Sequence, residues 1–286
     1  HPKFIDAMKQ VKAAQTQPKP GVQGQEKDIK MSRAQFELFA RRTCEWGIIP
    51  GAVHKEKAEF MKKLEEEGMP YIIVTEQSGR IQDHIADYLV ERGFRYIRPS
   101  SIYTSSMACR DYMHLRYPEM QKACYLGGAG IKEVLEKGNY QITFDHPDFI
   151  IMGMNKKSTY YDYSRISLAV QDGAMLVSSD NRNVQFVDGL RMIGNAAIVK
   201  MIEYATGCKS ISFGRGCDNY LLMAKLYLNQ ENILFIGNDF ERDILPAMHC
   251  EFTTVFVTEG NSIENTGMNE QHHPDYIVED LFGLTK

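Results

Sequence analysis

The stretch that decides the fold is Ile233-Leu-Phe-Ile-Gly-Asn-Asp-Phe-Glu-Arg-Asp-Ile244. Its first four residues form an uninterrupted apolar run, which predicts a buried strand of a parallel sheet. Gly237 ends that run, and a polar loop with Asn238, Asp239 and Asp243 follows. Ligands of open α/β sheets bind at the carboxyl ends of the strands, so a site is predicted here. Its carboxylates suit Mg²⁺, although an ordinary solvated loop has the same composition.

Composition excludes several classes of protein. The 286 residues are 43% hydrophobic, which is enough for a sizeable core in one large domain or two ordinary ones. The net charge of −4 and the pI of about 6.1 give no reason to expect nucleic acid as a partner. No apolar run approaches the ~18 residues of a transmembrane segment. The six scattered cysteines lack a CxxC pair, so we expect reduced thiols.

The amino-terminal residues 1–30 differ from the rest of the chain. Residues 15–30 are rich in Gln, Lys, Pro and Gly, which predicts an extended polar tail that needs a partner to become ordered. The chain begins at His1 and not at Met, which a processed precursor or a truncated chain would both explain. Together with the reduced cysteines this predicts a mitochondrial protein, with the cytoplasm as the alternative.

Strands and helices alternate beyond residue 34, as expected for a parallel sheet with right-handed crossovers. Strands are predicted at 34–40, 71–75, 95–97, 102–104, 123–126, 149–152, 174–177, 210–213, 233–236, 253–257 and 274–278. Helices are predicted at 55–67, 81–92, 161–171, 193–206 and 218–228.

Several short segments, taken together, carry a resemblance to a known family. They are Ile49-Pro-Gly-Ala52, Val74-Thr-Glu-Gln-Ser78, Ile102-Tyr-Thr-Ser105, Tyr125-Leu-Gly-Gly-Ala-Gly130, Asp188-Gly-Leu190, Phe213-Gly-Arg-Gly216, Ile236-Gly-Asn-Asp-Phe-Glu-Arg-Asp243, Phe256-Val-Thr-Glu-Gly260 and Pro274-Asp-Tyr276. In order and spacing they resemble the haloacid dehalogenase superfamily of aspartate phosphatases. The similar branch is the capped one that holds nitrophenyl-phosphatases, phosphoglycolate phosphatases and pyridoxal phosphatases.

The resemblance implies an α/β fold with a doubly wound parallel-sheet core and an inserted α/β cap domain. The core is expected at residues 31–107 and 206–286, and the cap at residues 108–205. In this family the first Asp of a DxD pair attacks phosphorus, and the second acts as general acid and base. A Thr or Ser binds the phosphoryl oxygens, a Lys neutralises charge, and a further Asp holds Mg²⁺.

The resemblance places the first motif on residues of the wrong type. Counting back from Ile49-Pro50 by the family spacing puts the nucleophile position at Glu37 and the acid–base position at Phe39. Phe39 has no proton to give, and the extra methylene of Glu37 displaces its carboxylate by about 1.5 Å. In the cap, Arg182 stands where the family has an Asp in its substrate loop.

The other motifs are also altered. Thr75 is retained, but Glu76-Gln77 follows it, which is expected to place a negative charge where phosphate would bind. The lysine position is Arg215, and the magnesium-binding Asp position is Asn238. Asp243, which supports the metal shell in the family, is retained.

These departures favour a catalytically inactive homologue, because loss of a nucleophile alone costs several powers of ten in rate. Such a pseudophosphatase needs neither cofactor nor metal. It is expected to serve as a structural or interaction subunit, in a multi-subunit complex or a homodimer, tethered in part by its tail. The alternatives are a Mg²⁺-dependent phosphatase on a small phosphorylated metabolite and a sensor of a phosphate ligand. Thr75, Ser78 and Arg215 would bind the phosphate.

Overall fold

The computed structural model describes residues 38–41, 55–187, 190–259, 268 and 272–281. Strands and helices alternate through most of these residues. In chain order they are β1 (Leu38–Arg41), α1 (Lys55–Glu66), β2 (Tyr71–Thr75), α2 (Gln82–Val90), β3 (Ile102–Thr104), α3 (Ser105–Arg116), β4 (Lys122–Leu126), α4 (Ala129–Lys137), β5 (Gln141–Ile142), β6 (Phe149–Met152), α5 (Tyr160–Gln171), β7 (Met175–Ser178), β8 (Val184–Val187), β9 (Leu190–Ile193), α6 (Asn195–Thr206), β10 (Ile211–Ser212), α7 (Asp218–Leu228), β11 (Leu234–Gly237), α8 (Leu245–His249), β12 (Thr253–Val257) and β13 (Tyr276–Val278).

The chain divides into two compact units. The first consists of the described residues within His1–Val74, Ala86–Ile102 and Ala224–Lys286. The second consists of Thr75–Ile85 and the described residues of Tyr103–Met223. The domain bounds drawn from the sequence stay a prediction, and the predicted amino-terminal tail lies outside the described residues.

A six-stranded sheet has the strand order β13-β12-β11-β1-β2-β3. The pairs β12–β13, β11–β12, β1–β11 and β1–β2 are parallel. In register, Ala40 lies opposite Ile236, so the carboxyl ends of β1 and β11 lie at the same edge of the sheet. The residues of β11 are all buried, which explains its continuous apolar run. The predicted doubly wound α/β fold is confirmed.

A second, five-stranded sheet lies entirely in the second unit and has the order β10-β7-β6-β4-β5, with every pair parallel. Its central strand β6 is completely buried. Helices α5 and α6 pack against this sheet and close a core of apolar side chains. That core includes Cys124, Leu126, Ile150, Met152, Ile166, Val170, Leu176, Val199 and Ile202. The unit therefore has a hydrophobic core of its own.

Local sequence signals fix the ends of α5 and α6. At the start of α5, the side chain of Thr159 accepts a hydrogen bond from the backbone N–H of Asp162. The Asp162 carboxylate in turn accepts one from the backbone N–H of Thr159, at 2.8 Å. This reciprocal pair is a capping box, which gives hydrogen-bond acceptors to two backbone N–H groups that have no partner within the helix. Helix α6 ends at Gly207, whose φ of 72° is left-handed and favours glycine.

The structure differs from the predicted elements in several places, and helices α3, α4 and α8 were not predicted. The strand predicted at 95–97 is wrong, because this segment is a turn between Gly93 and Pro99 that is too short to join a sheet. The hairpin of β8 and β9 was not predicted, although Asp188-Gly189 stands between the two segments in the sequence and such a dipeptide is a strong hairpin signal. No helix in the part of the chain that the structure describes has the length and apolar character of a membrane span.

Candidate functional site

The first predicted motif falls largely outside the described part of the chain. Glu37 is not among the described residues, and only the backbone of Phe39, in β1, is described. The predicted roles of both residues stay predictions. The remaining predicted site residues are divided between the two units: the second unit contains Thr75, Ser78 and Arg215.

Thr75 is the last residue of β2 and is buried. Its carbonyl oxygen accepts a hydrogen bond from the Tyr220 hydroxyl at 2.9 Å, and that hydroxyl lies equally close to the carbonyl oxygen of Tyr103. The Thr75 hydroxyl oxygen accepts from the backbone N–H of Gln77 at 3.3 Å. These bonds hold the turn that leaves β2, so Thr75 stands on a rigid support.

Ser78 lies in the same turn and is buried. Its carbonyl oxygen accepts from the Ser106 hydroxyl at 3.3 Å. The turn packs directly on the start of α4, where a Cβ at Gly128 would lie 2.4 Å from the Gly79 carbonyl oxygen. A Cβ at Gly130 would lie 2.2 Å from the carbonyl oxygen of Arg80. These two glycines are therefore needed for close approach of two backbone segments.

Arg215 lies in the loop that follows β10, and its side chain is buried. Its backbone N–H donates to the carboxylate of Glu76 at 2.9 Å. The same carboxylate accepts from the backbone N–H of Asn181 at 2.7 Å and forms an ion pair with Arg182. This use of Glu76 was not predicted from the sequence. The signal available was that Glu76 and Arg182 depart from the family pattern with opposite charges.

The first unit contains Asn238 and Asp243, in the loop after β11. Asn238 is exposed, and its side-chain amide donates to the Glu259 carboxylate at 3.3 Å. Glu259 also pairs with Lys57. Asp239 accepts a hydrogen bond from the backbone N–H of Arg242 at 3.0 Å, which caps the short helical turn that follows.

Asp243 is the most buried of these acidic side chains, with 1% of its surface exposed. One of its carboxylate oxygens accepts from the backbone N–H of Asp239 at 3.3 Å. A Cβ at Gly237 would lie 2.5 Å from the Cβ of Asp243, so the end of β11 and Asp243 are in direct contact. The loop thus presents oxygen ligands on a packed support.

The residue types of this loop fit a magnesium ion. Within the described residues, no three Asp, Glu, His or Cys side chains form a group that could hold a metal by themselves. Mg²⁺, however, takes only one or two protein carboxylates and completes its shell with water and phosphate oxygens. The side-chain oxygens of Asn238, Asp239 and Asp243 are ligands of this kind.

Comparison with known proteins identifies family models that match the two ends of the described chain. A model of haloacid dehalogenase-like hydrolases matches residues 47–141. A second model of hydrolases of the same kind matches residues 220–284. The matches include the turn after β2 and the loop after β11, where the motifs quoted above lie.

Curated relatives align with most of the chain. A 5'-nucleotidase of Bacillus subtilis, YutF, is 22% identical over 230 residues, which cover 79% of this chain and 89% of the relative. An acid sugar phosphatase of Staphylococcus epidermidis is 26% identical over 230 residues, which cover 78% of this chain and 87% of the relative.

Solved structures share the fold. The p-nitrophenyl phosphatase of Archaeoglobus fulgidus has a TM-score of 0.72 at 20% identity and covers 87% of this chain and 97% of its own. NagD of Escherichia coli has a TM-score of 0.73 at 20% identity and covers 86% of this chain and 96% of its own. This likeness confirms the predicted core with a cap domain.

The comparisons correct the functional expectation. The hypothesis of a catalytically inactive pseudoenzyme that acts as a structural subunit is wrong, because the curated relatives across most of the chain are named phosphatases. One of the altered positions behind that hypothesis is Glu76, and its charge is balanced by its neighbours. The expectation that no cofactor is needed is not supported either, since phosphatases of this kind typically use Mg²⁺.

Proposed function

Because the chain belongs to the capped branch of the haloacid dehalogenase superfamily, we propose that it is a Mg²⁺-dependent phosphatase that acts on a small phosphorylated metabolite. The observation that carries the proposal is that the curated relatives, aligned over more than three quarters of the chain, are named phosphatases. The reaction is hydrolysis of a phosphate monoester, in which water supplies the fourth oxygen of the released phosphate.

In the second unit, Thr75 and Arg215 are proposed to bind the phosphoryl group. A threonine hydroxyl donates one hydrogen bond to a phosphoryl oxygen, and a guanidinium can donate two parallel bonds in a fixed fork. Arginine keeps its charge at every physiological pH, so it neutralises charge that develops on the phosphoryl oxygens. Both residues are buried, which favours this assignment because a donor that is held in place before reaction stabilises a transition state best.

In the first unit, Asn238, Asp239 and Asp243 are proposed to hold Mg²⁺. A magnesium ion held by these residues would supply positive charge for the phosphate oxygens of a substrate. Asp243 holds the backbone of Asp239 in place through its carboxylate. Asn238 contributes a neutral amide oxygen where the family has a carboxylate, so we expect the chain to need more Mg²⁺ for half-maximal activity than a carboxylate-bearing site would.

The nucleophile is proposed to be a glutamate near β1. The spacing of the family motif favours Glu37. The position of β1 favours a residue beyond Arg41, because sites in open α/β sheets form at the carboxyl ends of strands. Glu45 is the first carboxylate after Arg41 in the sequence. Each candidate is tested by substitution with Gln. Turnover should be abolished only by the substitution that removes the nucleophile.

The test is hydrolysis of an aryl phosphate with Mg²⁺ present, repeated after chelation of the metal. We expect turnover that chelation removes and added Mg²⁺ restores. Arg215→Ala should lower kcat/KM by about 10² to 10³-fold, as loss of one transition-state donor does. Arg191→Ala removes an exposed arginine of the same unit and should leave kcat/KM unchanged.

Turnover no faster than in a protein-free control, with Mg²⁺ in excess, would contradict the proposal. Binding of inorganic phosphate without hydrolysis would also contradict it, and would favour the ligand-sensor alternative.

A further inference from the structure

The carboxylate of Glu76 lies among positive groups of the second unit and is 4% exposed. Its Oε1 accepts hydrogen bonds from the backbone N–H groups of Asn181 at 2.7 Å and Arg215 at 2.9 Å. Its Oε2 lies 3.7 Å from Nε of Arg182. Two amides and a guanidinium that converge on one anion resemble a binding site for a phosphate or carboxylate ligand. Here a carboxylate of the chain itself fills that place.

Arg182 is shared between two buried carboxylates. Its Nε lies 3.0 Å and 3.2 Å from the two carboxylate oxygens of Asp180, which is buried. The backbone N–H of Arg182 also donates to Asp180 at 3.0 Å. Asp180 therefore holds the guanidinium in the position from which it pairs with Glu76. Without Arg182, Glu76 would lose a charged partner of opposite sign, and loss of such a partner from a buried carboxylate is costly.

Close packing joins the loop of Arg215 to Glu76. A Cβ at Gly214 would lie 2.8 Å from Oε1 of Glu76 and 2.3 Å from the backbone nitrogen of Asn181. The Asn181 side chain accepts from the Ser212 hydroxyl at 2.8 Å, on the strand that leads into this loop. The backbone from which the Arg215 side chain extends is thus fixed from two sides.

We propose that Glu76 is a positioning residue, whose carboxylate, neutralised by Arg182, sets the backbone position of Arg215 for contact with the phosphoryl group. This inference rests on the proposed function, which assigns phosphate binding to Arg215. It reverses the expectation from the sequence that Glu76 repels phosphate, because its charge is directed at the protein's own donors.

The first test is Glu76→Ala, assayed with an aryl phosphate and Mg²⁺ at constant ionic strength, with and without acetate. We expect kcat/KM to fall about 10 to 100-fold, because a displacement of a binding group by about 1 Å costs that much. Acetate should restore part of the loss, since it can accept hydrogen bonds from the same two amides. Chloride at equal concentration should not.

Glu203→Ala is the matched control. Glu203 is also a buried carboxylate of the second unit, and it accepts from the backbone N–H of Ser210 at 2.9 Å and pairs with Lys200. This variant should keep its kcat/KM and show no response to acetate. An equal fall in kcat/KM in both variants, or a Glu76→Ala loss that acetate leaves untouched, would overturn the proposal.

A second test covers the case in which Glu76→Ala does not fold. Arg182→Gln removes the positive charge that pairs with Glu76, and should weaken binding of inorganic phosphate by about tenfold or more, measured by calorimetry. Glu76→Gln combined with Arg182→Gln removes that charge but keeps an oxygen that accepts from both amides. The double variant should therefore bind phosphate more tightly than Arg182→Gln alone, and the opposite order would contradict the proposal.

The wild-type chain separates failure of this inference from failure of the proposed function. Absence of both aryl phosphate turnover and phosphate binding in the wild type would overturn the two together. Wild-type turnover that Glu76→Ala retains in full would overturn this inference alone.

Discussion

Gly237 shows at the scale of one residue how the loop after β11 is built. A Cβ there would lie 2.5 Å from Cβ and 3.0 Å from Oδ2 of Asp243, both parts of a buried side chain. We expect Gly237→Ala to lower the free energy of unfolding by about 1–3 kcal/mol, as overpacking does. Urea denaturation of both proteins measures this. Gly79→Ala is the control, because its nearest contact is an ordinary 3.6 Å, and its unfolding midpoint should stay near that of the wild type.

A second prediction for single residues concerns the reactivity of the buried cysteines. Burial raises the pKa of the Cys124 thiol to about 12 and that of Cys109 well above its usual range. Because the thiolate is the reactive form, neither residue should react with iodoacetamide at about pH 8 while the chain is folded. Mass spectrometry of the alkylated protein tests this, and both should react in urea. Rapid alkylation of Cys124 in the native chain would contradict the structure.

Single residues also explain what the sequence could and could not reveal about the site. Thr75, Ser78 and Arg215 were predicted from the family resemblance as phosphate-binding residues, and all three are buried, in the turn after β2 or the loop after β10. The opposite charges of Glu76 and Arg182 are a signal in the sequence, but the contacts of Glu76 with Asn181 and Arg215, which are far from it in the sequence, are seen only in the fold. A charge that is repulsive by its position in a motif becomes favourable through contacts that only the fold brings together.

At the scale of elements, the end of α6 depends on one carboxylate. Burial alone would raise the pKa of Glu203, but hydrogen bonds from Lys200 and Ser210 lower it to about 2. Its folded pKa therefore lies below the ordinary value of 4.5, so it stabilises the fold above about pH 4.5. That contribution is lost as the pH falls towards 2.

Glu203→Gln measures this contribution. At neutral pH it should cost about 1–3 kcal/mol of unfolding free energy, as loss of charged hydrogen bonds does. The difference between the two proteins should shrink as the pH falls from about 5 to 2, because wild-type Glu203 then becomes protonated. Urea midpoints across this pH range provide the measurement, and a difference that does not depend on pH would contradict the assignment.

The elements that could be predicted are those with a strong local pattern. Strands β2 and β12 were predicted to the residue, because each is a run of apolar and β-branched residues between turn signals. The hairpin of β8 and β9 was not predicted because exposed Phe186, Leu190 and Ile193 do not alternate with polar residues in a consistent way. The pairing of β1 with β11 could be inferred only from the family resemblance, since nothing local specifies it.

At the scale of the whole molecule, a phosphate ligand should raise thermal stability. A ligand that binds only the folded chain adds about 2.7 kcal/mol to the free energy of unfolding at 100 times its Kd. We expect inorganic phosphate to raise the Tm by a few degrees, and Arg215→Ala to remove most of that rise. Differential scanning calorimetry with chloride at equal ionic strength is the measurement. An equal rise in the Arg215→Ala variant would show that phosphate acts elsewhere.

The expectation of phosphatase activity comes from similarity along most of the chain and not from any single motif. The relatives that corrected the inactive reading align over most of their own length, core and cap together. The predicted partner subunits and mitochondrial location stay predictions, as they depend on residues 1–30 and on composition.

The pairing of β1 with β11 has a consequence for how the protein is made. Leu38 lies opposite Leu234, about 200 residues later in the chain, so the middle of the six-stranded sheet spans most of the sequence. The strands of the five-stranded sheet all lie between Lys122 and Ser212. A ribosome translating from the amino terminus releases all five of those strands before it has made β11. During synthesis β1 can pair with β2, which is made early, but its other edge has no partner until β11 has been made. A chaperone would therefore protect that unpaired edge of β1.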